Sequence, residues 1–180
     1  MLEMIEKARK GDKEAFINLI KLVEKKLYVI ARSRLNNEED IKDAVQETIF
    51  LLYKNIPKLK DIQKFNGYMA KIMINSCNKI VIKKGKHISY DVVQNEEFLI
   101  EKDKYEDIDK KLDFFTIISF LEVEERTLIS MYYSDDYTTK EISKILKMNE
   151  STIRSKIKRI KEKLKQRYGE EGIEWNLKIN

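Results

Sequence analysis

Short polar and long cationic side chains are interleaved in one stretch near the end of the chain. The short polar residues are Ser151, Thr152 and Ser155, and the cations are Arg154, Lys156, Lys158 and Arg159. Short side chains let a helix approach base edges closely in the major groove, while long cations reach bases or flanking phosphates. An ordinary amphipathic helix with a solvated basic face is the alternative. The residue types favour a helix that reads DNA.

Two helices joined by a tight turn are predicted to hold this stretch in place. Thr138 or Thr139 can cap the first helix and Asn149 or Ser151 the second, with the turn at residues 147–149. Apolar residues at helical spacing face inward from both helices: Ile142, Ile145, Leu146, Ile153, Ile157, Ile160 and Leu164. The pattern predicts a helix-turn-helix.

Formal charge is distributed unevenly along the chain, whose net charge is +5. Residues 1–84 contain 18 Lys and Arg against 11 Asp and Glu, and residues 137–168 contain 11 against 3. Residues 85–136 between them contain 6 against 14. A solvated lysine-rich surface would explain either basic block alone. Two basic blocks around an acidic one favour two surfaces that meet a nucleic acid.

Residue counts exclude several classes of function. The chain has one cysteine, Cys77, and one histidine, His87, so it has no internal disulfide, cysteine-based zinc site or multi-histidine metal site. With 5 glycines it also lacks a glycine-rich phosphate loop. We therefore expect no enzyme activity, metal or cofactor. Cys77 falls on the inner side of a predicted helix, which favours core packing over redox sensing.

The first residues of the chain and the lengths of its apolar runs indicate where in the cell the protein is found. Charges recur every few residues from the first residue, without the apolar core of a signal peptide. The longest apolar runs are far shorter than the roughly 20 residues that span a bilayer. We expect a soluble cytoplasmic protein.

Helical periodicity dominates the rest of the chain, and no segment alternates at the period of a strand. The predicted helices cover residues 13–35, 40–56, 65–84, 109–121, 124–133, 138–147 and 150–168. Pro57 ends the second helix, because proline lacks an amide hydrogen and disfavours helical geometry before it. The sequence predicts an all-α fold of two small helical domains joined by a linker.

Three N-terminal segments resemble region two of an extracytoplasmic-function (ECF) sigma factor: residues 8–16, 40–50 and 65–75. Residues 121–129 and the helix-turn-helix that follows resemble region four. The run Asp40-x-x-Asp43-x-Val45-Gln46-Glu47 is the most specific single element. The order and spacing of both regions agree with those of the ECF sigma-70 subfamily.

The resemblance implies domain boundaries. Residues 1–84 correspond to sigma region 2, which binds core RNA polymerase and the minus-ten promoter element. Residues 85–108 correspond to the linker, and residues 109–168 to sigma region 4, which binds the minus-thirty-five element. Residues 169–180 form a C-terminal tail without an assigned role.

The resemblance also implies a polymerase-binding face on the helix that begins near residue 40. Its residues are Asp40, Asp43, Gln46 and Glu47. The three carboxylates lie three and four residues apart, which places them on one side of a helix. An ordinary solvated helix face is the alternative.

The segment after Pro57 corresponds to the part of the family that binds and opens the minus-ten element. The implied residues are Lys58, Lys60, Gln63, Lys64, Asn66, Lys71, Asn75, Lys79, Lys83 and Lys84. Residues 71, 75, 79 and 83 form a polar, cationic stripe that can follow a phosphate backbone. The loop over residues 58–66 is where the family holds a flipped base, whose unstacking costs a few kcal/mol. Which loop residues line that pocket stays open.

The chain departs from the family at a few positions. Tyr68 stands where a tryptophan is common, and Lys83 and Lys84 stand where arginines are common. Glu122 replaces a usual proline at the start of region four, and Lys147 replaces a frequent glycine in the turn. The last two put the local backbone geometry in question.

The resemblance implies a promoter-specificity subunit without catalytic activity. Its expected partners are core RNA polymerase, promoter DNA and an anti-sigma factor, which in this family is often membrane-anchored. A stand-alone helix-turn-helix regulator that never binds polymerase is the alternative, and it leaves the match at residues 40–50 unexplained.

Overall fold

The computed structural model describes residues 1–85, 114–133 and 137–176, with side chains described as far as Gly169. Within these residues there are seven α-helices: α1 Leu2–Arg9, α2 Lys13–Arg34, α3 Glu38–Asn55, α4 Phe65–Lys83, α5 Val123–Tyr133, α6 Thr139–Leu146 and α7 Glu150–Asn176. A further helical turn occupies residues 114–117. The described residues contain no strand, and the all-α prediction is confirmed.

Some predicted segments lie outside the described residues. The predicted linker beyond Gly85, the first residues of the helix predicted over 109–121 and residues 177–180 of the tail belong to this group. The described part of that helix is helical only over residues 114–117. α7 has a non-helical residue at Gly169, where φ is 76°, so the break falls one residue after the predicted helix end.

Side-chain caps fix the starts of α2 and α3. The Asp12 carboxylate accepts a hydrogen bond from the Ala15 amide at 3.0 Å, and Asn37 Oδ1 accepts one from the Asp40 amide at 3.1 Å. Because Asn37 is the cap, α3 begins two residues before its predicted start. α3 ends at Asn55, and Pro57 lies in a short 3-10 turn.

Helix α1 was not predicted. It is only eight residues long, and its buried residues are Ile5 and Ala8. Two apolar positions are too few to give a periodic signal, so packing on α2 rather than the sequence pattern defines this helix.

Helix α2 is the centre of the N-terminal core. It packs against α1, α3 and α4, and it also contacts α5 from the C-terminal half. Cys77 on α4 is fully buried, which confirms its prediction as a core residue. Burial raises the pKa of the Cys77 thiol to about 12, so the thiol stays protonated near neutral pH.

A group of hydrogen bonds joins the N-terminal helices to the C-terminal part of the chain where α2 meets α5. The Arg126 Nε donates to the Ser33 carbonyl at 3.1 Å, and the Arg34 guanidinium donates to Thr127 Oγ1 at 3.0 Å and to Asn78 Oδ1 at 2.8 Å. Ser33 and Thr127 are fully buried. Burial lowers the pKa of Arg34, and these hydrogen bonds compensate in part for the lost hydration of its charge, since its Nε atom is buried without a partner among the described residues.

A second contact brings the helix-turn-helix against the N-terminal half. Gly67, near the start of α4, faces Ile145 of α6, and a methyl group added at Gly67 would lie 3.8 Å from the Ile145 side chain. The helix-turn-helix therefore packs beside the segment predicted to bind the minus-ten element.

Candidate nucleic-acid interface

The predicted polymerase-binding residues of α3 differ in exposure. Asp43, Gln46 and Glu47 are exposed, whereas the Asp40 side chain is only 11% exposed and forms an ion pair with Lys84. Glu47 also forms an ion pair, with its carboxylate 3.8 Å from Lys79 Nζ. The accessible part of this face is therefore centred on residues 43–47.

Those two ion pairs connect sets of residues that were predicted to bind different partners. Lys79 and Lys84 belong to the predicted minus-ten set, and they contact carboxylates of the predicted polymerase-binding set. No sequence signal indicates these pairs, because the partners are 32 and 44 positions apart in the chain. The packing of α3 against α4 brings them together.

The predicted cationic stripe of α4 lies on one exposed side of the helix. Its residues are Lys71, Asn75, Lys79 and Lys83, all of them exposed. Met69, Met73 and Cys77, on the opposite side, are fully buried. Burial of that side fixes the rotation of α4 and points the stripe toward solvent.

The loop before α4 is held by contacts that the sequence analysis missed. Arg9 of α1 donates to the Leu59 carbonyl at 3.2 Å. Asp61 accepts from the Gln63 amide at 3.0 Å and forms a 2.8 Å ion pair with Lys64. The hydrogen bond from Lys64 lowers the pKa of Asp61, and the same bond raises the pKa of Lys64. The Asp61-x-x-Lys64 spacing was the available signal for this pair, while nothing in the sequence indicates the Arg9 contact.

Most of the predicted loop residues reach solvent. Lys58, Lys60, Gln63 and Lys64 are exposed. Asn66 is half-buried, and its Oδ1 atom is buried without a hydrogen-bond partner among the described residues. Asn66 therefore has an unused acceptor at the junction between the loop and α4.

Helix α6 begins with a complete capping box. Thr138 Oγ1 accepts from the Glu141 amide at 3.2 Å, and Glu141 Oε2 accepts from the Thr138 amide at 2.8 Å. Of the two predicted caps, Thr138 is the one used. Helix α7 begins at Glu150, so of the two predicted caps Asn149 stands at the position before the helix and Ser151 lies within its first turn.

One of the departures from the family pattern, Lys147, lies in the turn between α6 and α7. Lys147 has φ 55° and ψ 43°, a left-handed conformation that glycine adopts more easily than other residues. Its neighbour Met148 donates its amide to the Ser143 carbonyl at 3.0 Å, which closes the turn. Lysine therefore preserves the turn geometry at some cost in backbone strain.

Glu122, the other departure, directly precedes α5. Its amide donates to Glu125 Oε2 at 3.3 Å, and its carbonyl accepts from the Arg126 amide at 2.8 Å. A proline could not make the first of these bonds, because it has no amide hydrogen. The chain thus begins α5 with a hydrogen bond where the family commonly has proline.

Helix α7 presents the predicted duplex-reading residues on its outer side. The seven predicted residues are Ser151, Thr152, Arg154, Ser155, Lys156, Lys158 and Arg159. All of them are exposed except Lys156, which is half-buried. Ile153, Ile157, Ile160 and Leu164 are all buried, as predicted. The helix therefore buries an apolar stripe and leaves its polar, cationic side accessible.

Two of the α7 cations pair with carboxylates of the same helix. Arg154 Nη2 lies 2.7 Å from Glu150 Oε1, and Lys158 Nζ lies 4.0 Å from Glu162 Oε1. Glu150 Oε1 also accepts a hydrogen bond from Thr139 Oγ1 at 2.8 Å. Glu150 was absent from the predicted set, although its position one turn before Arg154 was a signal for this contact.

Other kinds of site find no support in the described part of the chain. No group of three or more histidine, cysteine, aspartate or glutamate side chains there could hold a metal ion. No helix among those residues is long and apolar enough to cross a membrane.

A helix-turn-helix with an accessible basic helix, joined to a second helical unit with a cationic stripe, defines a class of DNA-binding protein. Comparison with known families narrows that class. Residues 19–86 match the family model Sigma-70 region 2, and residues 113–164 match the family model Sigma-70, region 4. The chain belongs to the ECF branch of the sigma-70 family of RNA polymerase sigma factors.

Curated relatives agree with this assignment over most of their length. The chain is 25% identical to the ECF RNA polymerase sigma factor SigW of Bacillus subtilis, over 90% of this chain and 93% of the relative. It is 24% identical to the ECF RNA polymerase sigma-E factor of Escherichia coli, over 88% of this chain and 89% of the relative.

Solved structures share the fold. CnrH in complex with the cytosolic domain of CnrY matches with a TM-score of 0.67 and 17% identity, covering 92% of this chain and 94% of that chain. The sigma factor RpoE in complex with the anti-sigma factor NepR from Bartonella quintana matches with a TM-score of 0.64 and 16% identity, covering 84% and 94%. The two family models and the curated relatives identify the chain as a transcription initiation factor that directs RNA polymerase to promoters, and the stand-alone regulator is not favoured.

Proposed function

We propose that this sigma factor divides its tasks among three surfaces in two domains, residues 1–84 and residues 109–168. In the first domain, the exposed side of α3 binds core RNA polymerase. Asp43, Gln46 and Glu47 make the direct contacts, and Asp40 contributes through its ion pair with Lys84. The exposure of Asp43, Gln46 and Glu47 supports this assignment.

The second surface holds the minus-ten element as a separated strand. Lys58, Lys60 and the stripe on α4 attract the phosphate backbone, and the junction at Asn66 lies beside the captured base. The remaining residues of this surface are Gln63, Lys64 and Lys84. Binding energy for the displaced strand, rather than nucleotide hydrolysis, opens the duplex, so the chain needs no catalytic group of its own.

The third surface reads the minus-thirty-five element as duplex. The outer side of α7 enters the major groove, where Ser151, Thr152 and Ser155 permit close approach. Arg154, Lys156, Lys158 and Arg159 reach base edges or phosphates. The single observation that carries this proposal is that α7 buries the stripe Ile153, Ile157, Ile160 and Leu164 and leaves its cationic side accessible to solvent.

An anti-sigma protein is the proposed regulator. One solved structure with the same fold is a complex of the sigma factor RpoE with the anti-sigma factor NepR, and another is a complex of CnrH with the cytosolic domain of CnrY. We propose that a comparable partner, soluble or membrane-anchored, covers the polymerase and DNA surfaces of this chain in the cytoplasm.

Site-specific photocrosslinking in the holoenzyme tests the division of tasks. A crosslinker at Asn75 should label single-stranded DNA in the minus-ten element, and one at Ser155 should label duplex in the minus-thirty-five element. A crosslinker at Lys21, an exposed residue of α2 outside all three surfaces, serves as the control. Exchange of the two labelling patterns, or labelling from Lys21 alone, would contradict the assignments.

A further inference from the structure

The Glu150 carboxylate joins the two helices of the helix-turn-helix and contacts a proposed DNA-reading side chain. Glu150 is the first residue of α7, and its side chain is 35% exposed. Its Oε1 atom accepts one hydrogen bond from Arg154 Nη2 at 2.7 Å and another from Thr139 Oγ1 at 2.8 Å. Thr139 is the first residue of α6, so the carboxylate is anchored on one helix and supports a cation on the other.

We propose that Glu150 is a positioning residue that orients the Arg154 guanidinium for contact with a base of the minus-thirty-five duplex. This inference rests on the proposed function of α7 as the duplex-reading helix. Glu150 contacts DNA only through Arg154, and its role is in base preference rather than in overall affinity.

The physical reason is the rotamer freedom of a long exposed side chain. The Arg154 side chain is 69% exposed, and an unsupported arginine must lose its freedom when it engages a base. The Glu150 carboxylate, which is held by Thr139, restricts the Arg154 guanidinium before the protein binds DNA. The hydrogen bond from Arg154 lowers the pKa of Glu150, and the one from Thr139 acts in the same direction, so the carboxylate is charged at neutral pH.

A purely stabilising role does not account for this arrangement. Exposed ion pairs one helical turn apart contribute little to stability. The pair between Lys158 and Glu162 has the same four-residue spacing but a 4.0 Å separation. No hydrogen bond from α6 to Glu162 exists in the described structure, so Glu162 offers a matched carboxylate without the second anchor.

Removal of the Glu150 charge should lower base preference without lowering the affinity for non-specific duplex. Glu150→Gln removes a negative charge near DNA, so affinity for non-specific duplex should stay constant or rise slightly. The same change frees Arg154, so preference at the base it contacts should fall by about three- to tenfold, part of what a well-placed arginine contributes. Thr139→Val removes only the anchor and should cause a smaller loss at the same base pair.

The experiment uses the full chain with core RNA polymerase and a library of promoter duplexes randomised across the minus-thirty-five element. Base preferences are measured by selection and sequencing, non-specific affinity on poly(dI-dC), and thermal stability on the free protein. Glu162→Gln is the control of equal charge change and should leave the preferences unaltered. In an Arg154→Ala background, Glu150→Gln should have no further effect on base preference.

Three results would overturn the proposal. Unchanged preferences in Glu150→Gln would show that Arg154 needs no support. A parallel fall of specific affinity, non-specific affinity and thermal stability would reduce Glu150 to a packing residue. Persistence of the Glu150→Gln effect without Arg154 would indicate direct contact between Glu150 and a base. If Arg154→Ala itself leaves every preference intact, the proposed reading function of α7 fails as well, which distinguishes the two claims.

Discussion

The two proposed DNA surfaces neutralise part of their positive charge in different ways. On α7, Arg154 pairs with Glu150 one turn earlier in the same helix. On α4, Lys79 pairs with Glu47 of a different helix, the one proposed to bind polymerase. The paired cations of the duplex-reading surface are therefore balanced within α7. On the strand-binding surface Lys64 is balanced locally by Asp61, whereas Lys79 and Lys84 are balanced by carboxylates of the polymerase-binding face.

This difference suggests how the two surfaces respond to polymerase. A basic group of polymerase that binds Glu47 competes with Lys79 for the same carboxylate. We expect the lysine so released to become available to DNA phosphates. The duplex-reading surface has no such connection among the described residues, so its intrinsic affinity for DNA should not depend on the state of α3.

Reversal of one charge on α3 should have the largest effect. Asp43 is exposed and has no ion-pair partner among the described residues, so Asp43→Arg should leave the fold intact. Polymerase affinity should fall at least about 100-fold, because a like charge at an interface costs several kcal/mol. Fluorescence titration of labelled protein with core polymerase measures this change. Glu14→Arg, on an exposed position of α2, is the matched control, and equal losses in both variants would remove the assignment.

Truncation of Arg154, one of the proposed duplex-reading cations, should have the next largest effect. Arg154→Ala should reduce discrimination at one base pair of the minus-thirty-five element by about 10- to 100-fold. That loss equals about 1.4–2.7 kcal/mol and falls within the roughly 1–3 kcal/mol that a good arginine–base contact contributes. Selection from randomised duplex with the holoenzyme measures it. Lys54→Ala removes an exposed cation of α3 outside the proposed surfaces, and a comparable loss there would mean that charge alone matters.

The helices that were predicted well are those with a sustained apolar repeat. Residues 13–35 contain enough inward apolar positions to define α2 within a residue of its ends. Helix α1 was not predicted, because it buries only Ile5 and Ala8 and so has no apolar repeat. Its formation depends on the surface that α2 provides, which no local pattern records.

The sequence predicts which residues share a helix face in each candidate surface. It does not predict the contacts between residues of different helices. The stripe from Lys71 to Lys83 follows from four-residue spacing, and all its members are exposed. The pair between Asp40 and Lys84 depends on how α3 crosses α4. The bond from Arg34 to Thr127 spans 93 positions and depends on how the two halves meet. Such contacts are set by tertiary packing rather than by local sequence.

Neutralisation of Glu47 tests the electrostatic link directly and should have a moderate effect. Glu47→Gln should tighten binding of the free protein to single-stranded DNA up to about fivefold, the range of an exposed ion pair worth 0.2–1 kcal/mol. Fluorescence anisotropy with an oligonucleotide at low salt measures it.

Two companion variants separate the link from a change in net charge. In a Lys79→Gln background the gain from Glu47→Gln should disappear. Asp43→Asn, which removes a charge from the same side of α3 without freeing a paired lysine, should have a smaller effect. A gain that persists without Lys79 would refute the link between the surfaces.

The smallest expected effect concerns the turn that sets the angle of α7. Lys147→Gly should raise the free energy of unfolding by at most about 1 kcal/mol, because relief of left-handed strain is partly offset by the greater freedom of glycine in the unfolded chain. Base preference should stay the same. Thermal unfolding and duplex selection check the two parts, and a loss of stability would show that the Lys147 side chain makes a contact that matters more than its backbone.

Reconstituted transcription tests the central claim most directly. The full chain is mixed with core RNA polymerase and linear genomic fragments, and run-off transcripts are sequenced at their 5′ ends. We expect a defined set of start sites that share elements at minus-ten and minus-thirty-five and disappear with Asp43→Arg. Initiation no different from that of core polymerase alone, with no inhibitor present, would contradict the assignment of this chain as a promoter-specificity factor.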